Sequence, residues 1–271
     1  MMELPESTTI ARQINEVAAG KKILSATAGA AVHKFAFFNR ELDEYAKILA
    51  GKTIKNARAL GGLVDLDLGS YRLVFGDGIN VRYGHGEPPL KHQLLLQLED
   101  HSYLICTVQM YGSMHLYLKG EIDNPYYTAA RHSPSPLSKA FDFKYFDAIV
   151  DLVPENTSAK ALLGTKQRIP GVGNGVLQDI LFHAGVHPKT TRFSEEDRDR
   201  LFYAVKDILA EMTELGGRDT EKDLFGMTGK YRTLLCSGTW KKPCPRCGDT
   251  IVKQAYLGGS IYFCPTCQPQ V

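Results

Sequence analysis

"PCPRCGDTIVKQAYLGGSIYFCPTCQ", residues Pro243 to Gln268, carries four of the six cysteines of the chain as two Cys-x-x-Cys pairs, Cys244 with Cys247 and Cys264 with Cys267, sixteen residues apart. Each pair can present two thiolates to one tetrahedral ion. The segment between them reads as two short strands joined at Gly258-Gly259, a hairpin that folds one pair onto the other. Two redox disulfides, or unrelated buried thiols, are the competing readings. Four thiolates leave no open coordination position, so the spacing points to a structural zinc, one per chain, rather than a catalytic metal. Cys106 and Cys236 lie outside the pattern and read as core thiols.

Outward from this hairpin the charge is uneven. Gly229 to Val271 holds Lys230, Arg232, Lys241, Lys242, Arg246 and Lys253 against Asp249 alone, although the whole chain carries a formal net charge of only +2. Asn156 to Arg192 repeats the imbalance with Lys160, Lys166, Arg168, Lys189 and Arg192 against Asp179. Two basic segments suit a polyanionic partner, and a solvated basic face is the plainer alternative. Between them lies "RIPGVGNGVLQDILFHAGVHP", Arg168 to Pro188. Gly171, Gly173 and Asn174 form a tight turn that feeds a helix N-terminus, where unpaired backbone N–H groups can hold a phosphate. Such a turn alone is weak; Lys160 and the cysteine hairpin give it weight.

Further toward the N-terminus the pattern changes period. Ser7 or Thr8 is expected to cap a helix running to about Ala19, followed by the strand "KILSATAG" and a short helix from Asn39 to Leu49. From Thr53 to Leu118 come six strand-like runs, "LVDLDL", "YRLVF", "INVRY", "HQLLLQLE", "YLICTV" and "MHLYL", broken at Gly69-Ser70, Gly76-Asp77-Gly78 and Asp100-His101. They read as an antiparallel β-sandwich. Pro134-Ser-Pro136 marks a change of composition. Beyond it, helices are expected over Ser138–Val150, Ala159–Leu163, Asn174–Ala184 and Ser194–Leu215, the last opened by Ser194-Glu-Glu-Asp. With 271 residues and 44% hydrophobic content the chain can build more than one core. The fold class is therefore α+β, with a domain boundary near 125–137. No apolar run approaches the roughly 20 residues needed to cross a bilayer, and the N-terminus lacks the layout of a signal peptide, so an intracellular location is expected.

A β-sandwich, a helical segment with "PGVGN…LFHAGVHP" and a four-cysteine hairpin ending "YFCPTCQ", in that order, resemble the formamidopyrimidine-DNA glycosylase and endonuclease VIII family along essentially the whole chain. The resemblance implies a clamp in three parts: a sandwich over 1–130, a helix-two-turns-helix DNA-binding region over 131–235 and a zinc finger over 236–271. Damaged double-stranded DNA would be bent in the cleft with the lesion flipped out, by a monomer in the bacterial cytoplasm, associated with the nucleoid when bound, without membrane attachment.

The same resemblance gives meaning to the opening "MMELPEST". Family members begin Met-Pro-Glu-Leu-Pro-Glu, lose the initiator and attack the sugar C1′ with the proline amine. Here Glu3, Leu4, Pro5 and Glu6 match, while Met2 stands in the place of the nucleophile. Removal of an initiator Met needs a small second residue, so Met1 is expected to stay, and an amide nitrogen between Met1 and Met2 cannot form a Schiff base. Leu63 falls where the family has a hairpin lysine, and Gly259 where the finger has an arginine that clamps phosphates. Gln109-Met110-Tyr111-Gly112 replaces the Arg-Arg-Phe-Gly loop that fills the void in the duplex, so Met110 and Tyr111 keep an apolar wedge. Lys160 and Asn174 match phosphate-gripping positions, with Gly171, Gly173 and Lys253 expected beside them on the DNA.

Three functions follow as expectations. In the first, a glycosylase keeps base excision and loses AP-lyase activity, with Glu3 as general base on water and Glu6 positioning the N-terminal helix or the water. Helix-terminal charge compensation and capping are the plain alternatives for these two residues. In the second, the protein is a noncatalytic reader of damaged DNA. In the third, it is a bifunctional glycosylase and lyase using an N-terminal amine, whose reference pKa is about 8.

Overall fold

The computed structural model describes residues 1–270, the side chain of Asp77 excepted. Helix α1 spans Leu4–Ala18 and starts one turn earlier than the sequence suggests. Glu3 is its N-cap, Pro5 lies in its first turn, and the Glu6 carboxylate accepts the Glu3 N–H at 3.0 Å. Ser7 is therefore inside the helix, and its hydroxyl donates to the carbonyls of Leu4 and Gly61 instead of capping.

Next come β1 (Ile23–Ala28), β2 (Ala36–Phe37), α2 (Leu42–Leu49), β3 (Asn56–Leu60), β4 (Leu63–Asp67), β5 (Tyr71–His85), β6 (Leu94–Leu98) and β7 (Ser102–Leu118). The sheet runs β1-β6-β7-β5-β4-β3, with β2 added in parallel to β7. "YRLVF" and "INVRY" merge into β5, and "YLICTV" and "MHLYL" merge into β7, where the sequence suggests breaks. One pairing covers both: Ile79 opposes Val108, the next pair is Asp77 with Gly112, and the register shifts between them. Gln109 to Tyr111 are thereby set against Gly78 alone, which bulges β7 outward without ending it. Glycine is required there, because a Cβ on Gly78 would lie 2.3 Å from the Tyr111 carbonyl oxygen.

The long strands β5 and β7 serve both layers. They pair with each other along their whole lengths; the first half of β7 also pairs with β6, which pairs with β1, while the first half of β5 pairs with β4. Between the layers lies a core of Ile23, Val64, Leu66, Leu73, Phe75, Leu94, Leu96, Leu104, Met114 and Leu116, which also takes Met2, Ile10 and Ile14 from the N-terminal segment.

The remainder is helical: α3 (Pro125–His132), α4 (Phe143–Asp151), α5 (Ala159–Gly164), α6 (Val176–Ala184) and α7 (Glu195–Glu214). Helix α3 has no counterpart in the sequence reading; Asn124 caps it and Pro125 opens it. Helix α4 begins at its cap Asp142, four residues later than expected. Ser194 and Asp197 form the capping box of α7. A second core of Phe141, Phe146, Leu162, Leu177, Ile180, Leu201, Val205 and Leu209 holds these helices, and Leu4 enters it from α1. One short helix thus contributes side chains to both cores. The cysteine hairpin is β8 (Val252–Tyr256) with β9 (Gly259–Phe263). Its turn lies one residue earlier than Gly258-Gly259: Tyr256 pairs with Gly259, leaving Leu257 and Gly258 at the tip, both with positive φ.

Candidate active site and metal centre

Glu3 and Glu6 meet at the junction of the two cores, each only 4% exposed. The Glu3 carboxylate reaches across to α6 and accepts the N–H groups of Gly175 at 2.9 Å and Val176 at 2.7 Å. These are orphan donors of a helix start, so the carboxylate acts as a remote cap. The glycine turn makes this approach possible: a Cβ on Gly173 would stand 2.6 Å from Glu3 Oε1. The same turn packs on the β3–β4 hairpin, where a Cβ on Gly171 would fall 2.6 Å from the Gly61 carbonyl carbon, and its Gly171 oxygen accepts the Leu4 N–H at 2.9 Å.

Two buried carboxylates need a cation, and the sequence reading did not supply one. Arg218 does. It lies in the loop after α7, and its Nε and Nη2 each donate to Glu6 at 2.9 Å in a forked pair. Nη1 stands 3.8 Å from Glu3, and Nη2 also donates to the Met1 carbonyl at 3.0 Å. Burial pushes the Glu3 carboxyl above its ordinary value, against the pull of Arg218. Burial also acts against the Glu6 charge, but the adjoining guanidinium prevails and holds that carboxyl low. The signal for a buried arginine was indirect: an acidic pair beside Pro5 demands a partner, and Gly216-Gly217 frees the loop to deliver one.

Met2 is 6% exposed and its side chain belongs to the sandwich core. Met1 is partly exposed; its α-amine is paired with Glu221, and the Tyr111 hydroxyl lies 3.6 Å from its sulfur. Beside them opens a cavity of about 290 Å³ lined by Met1, Met2, Glu3, Leu63, His115 and Gln167, among others. Leu63 lies there at the hairpin, offering no proton.

The residues expected on DNA do not gather in one place. Lys160 and Asn174 converge on the hairpin tip: Lys160 Nζ donates to the Tyr256 carbonyl at 2.6 Å and Asn174 Nδ2 to the Ser260 carbonyl at 3.1 Å, with Gly259 between them. Lys160 is 5% exposed, and burial lowers its pKa. Lys253 instead lies on the finger with its ammonium 5.2 Å from the Trp240 ring. Met110 projects from the β7 bulge at 69% exposure, with Tyr111 next to it.

The four finger sulfurs lie within 4.8 Å of one another, with Cys244 and Cys267 at 3.8 Å and Cys247 and Cys264 at 3.4 Å. A tetrahedral ion with metal–sulfur bonds of about 2.3 Å requires sulfurs about 3.8 Å apart, so the four can bind one metal. Cys106 is buried in the sandwich core, while Cys236 is half-buried and outside the metal cluster.

A sandwich whose N-terminal glutamates reach a helix start, joined to a helical region and a four-cysteine hairpin, makes an α+β fold in which a buried carboxylate lines a cavity and four thiols form a separate candidate metal centre. No family model matches the chain. It is 29% identical over 278 residues to the formamidopyrimidine-DNA glycosylase of Streptococcus pyogenes serotype M6, covering 99% of this chain and 98% of the relative. The formamidopyrimidine-DNA glycosylase of Shouchella clausii is 28% identical over 281 residues, with full coverage of both. Among solved structures, the MutM (Fpg) protein of Thermus thermophilus superposes with a TM-score of 0.83 at 26% identity, over 99% of each chain. Lactococcus lactis Fpg in complex with DNA containing an abasic site gives 0.85 at 25% identity, over 99% of this chain and 100% of that one. The chain is thus similar over its full length to formamidopyrimidine-DNA glycosylases.

Proposed function

We propose that this protein binds damaged double-stranded DNA and excises an everted base by hydrolysis of its N-glycosidic bond, with AP-lyase activity weak or lost. The observation that carries the reading is the setting of Glu3. Its carboxylate lines the cavity, is held in place by two backbone N–H groups, and has its pKa raised by burial. A carboxylate of raised basicity in a fixed position suits a general base that takes a proton from water attacking C1′. Glu6 holds the Glu3 backbone N–H and orients the base. The Met2 nitrogen, acylated by Met1, has no free lone pair for an imine, and Leu63 cannot protonate a ring oxygen.

Around this centre a sandwich over 1–130, a DNA-binding helical region over 131–235 and a finger over 236–271 would form the clamp. Lys160, Gly171, Gly173, Asn174 and Lys253 would serve the duplex and Met110 and Tyr111 the void left by the everted base. Zinc on Cys244, Cys247, Cys264 and Cys267 would supply rigidity to the finger and no chemistry. We place a monomer on the chromosome in the bacterial cytoplasm.

The test is a panel of lesion-bearing duplexes in which abasic sites and strand breaks are scored separately. Abasic sites without breaks, lost in Glu3→Gln while DNA binding persists, are expected, with no borohydride-trapped adduct. An adduct mapping to the N-terminus would replace this reading by a bifunctional enzyme using the Met1 amine. One observation favours a second reading, the noncatalytic reader: both Glu3 oxygens are already engaged in capping α6. Lesion-selective binding with no Glu3-dependent abasic sites would establish that reader.

A further inference from the structure

Arg218 is 3% exposed and enclosed by charge on several sides. Glu3 and Glu6 face it from the N-terminal segment, and Glu221 lies in its own loop. Asp179 of α6 also acts on it through space, and the Met1 amine is tied to Glu221. The packing is tight at the guanidinium: a Cβ on Gly175, the residue that donates to Glu3 Oε1, would lie 1.6 Å from Nη1. The glycine before α6 therefore makes room for this arginine as well as for Glu3. The backbone of Arg218 is anchored too, its N–H donating to Glu6 Oε1 at 3.1 Å and its residue bridging in parallel to Tyr231.

We propose that Arg218 is a positioning residue for Glu3. Its fork locks Glu6, Glu6 holds the Glu3 backbone, and Nη2 holds the Met1 carbonyl, so three contacts fix the N-terminal segment against α6 with the Glu3 carboxylate at the cavity. A long buried guanidinium is suited to this task because five rigid donors can serve two carboxylates and a carbonyl at once, which an ammonium on a flexible stem cannot. Alignment of Glu3 is thereby coupled to the loop that follows α7. The inference rests on the excision reading for its kinetic measurement only.

The experiment compares the full-length parent, metal-loaded, with Arg218→Lys, Arg218→Gln and Arg218→Met. Glutamate carboxyl carbons are followed by NMR as pH is varied, with Glu3→Gln used to assign the Glu3 signal. Abasic-site formation is measured across the same pH range. Removing the positive charge leaves two buried carboxylates without a counter-ion, so the Glu3 midpoint should move up in Arg218→Met and Arg218→Gln. The acid limb of the rate profile should move with it, and kcat should fall by about tenfold or more while KM for DNA stays within about twofold. Arg218→Lys should restore the midpoint but only part of kcat, since charge returns without the fork. Folded charge-removing variants whose Glu3 midpoint equals that of the parent would overturn the assignment. If Arg218→Met does not fold, Arg218→Lys decides by the same measurements: full recovery of kcat overturns the positioning role, partial recovery supports it. A parent that forms no abasic sites would defeat the excision reading, while the Glu3 midpoint would still decide the part played by Arg218.

Discussion

Glu3 and Glu6 are separated by less than one turn of helix, yet their surroundings drive the two carboxyls in opposite directions. Glu6 receives the fork of Arg218 and is held below its ordinary value of 4.5, whereas burial dominates at Glu3 and lifts it above. The sign of the pH dependence follows. Stability contributed by Glu6 is fully present above pH 4.5 and is lost as pH falls through its lower folded value; the Glu3 charge instead costs stability as it forms above 4.5. Glu6→Gln is therefore expected to lower stability by about 3–5 kcal/mol at pH 7, the cost of breaking a buried pair. The gap between variant and parent should narrow as the pH drops below 4.5, as read by denaturant unfolding. A gap independent of pH would show that Glu6 acts by shape rather than charge.

At the scale of elements, two glycine-bearing segments do the joining. The Gly171 turn presses on the β3–β4 hairpin with positive φ at both Gly171 and Gly61. A side chain at position 171 meets backbone, which cannot give way as a flexible side chain can. Gly171→Ala should cost about 1–3 kcal/mol and displace Leu4 from its hydrogen bond, visible as a lower melting temperature and faster exchange of the Leu4 amide. The finger tip offers the opposite case. Leu257 occupies a left-handed position with its side chain largely exposed. Asn tolerates that conformation better, so Leu257→Asn should stabilise the hairpin by roughly 1 kcal/mol, measured by thermal unfolding with metal bound.

Across the whole molecule, the cysteine hairpin is docked on the helical region by more than its cysteine cluster. Phe182 of α6 shares a small core with Leu235, Ile251 and Tyr262, and Lys160, Asn174 and Gln178 all donate to hairpin carbonyls. Metal removal should thus unfold the hairpin and release these partners together. Chelation is expected to leave the β-sheet signal in circular dichroism nearly intact while DNA affinity falls at least tenfold, and zinc should restore it. Retained affinity in metal-free protein would place the duplex contacts elsewhere. Because Lys160 is bound to the Tyr256 carbonyl, Lys160→Ala should disturb finger docking as well as any phosphate contact.

Much of this was legible along the chain because it depends on neighbours in sequence. Cysteine spacing, the capping residues of α7, the glycine turn before α6 and the alternation of the strands are local patterns, and the order of the parts carried the family likeness. Where local rules failed, a partner distant in sequence had intervened. β5 and β7 run through their expected breaks because a bulge on one strand is accommodated by a glycine on the other. Helix α1 begins at Glu3 rather than Ser7 because Pro5 opens it while Glu6 satisfies the first backbone N–H. The ion cluster was beyond reach of the sequence for the same reason: Arg218 is 212 residues from Glu6. Periodicity records which face of an element is buried, but which charges share that burial is decided only when two cores close on one helix.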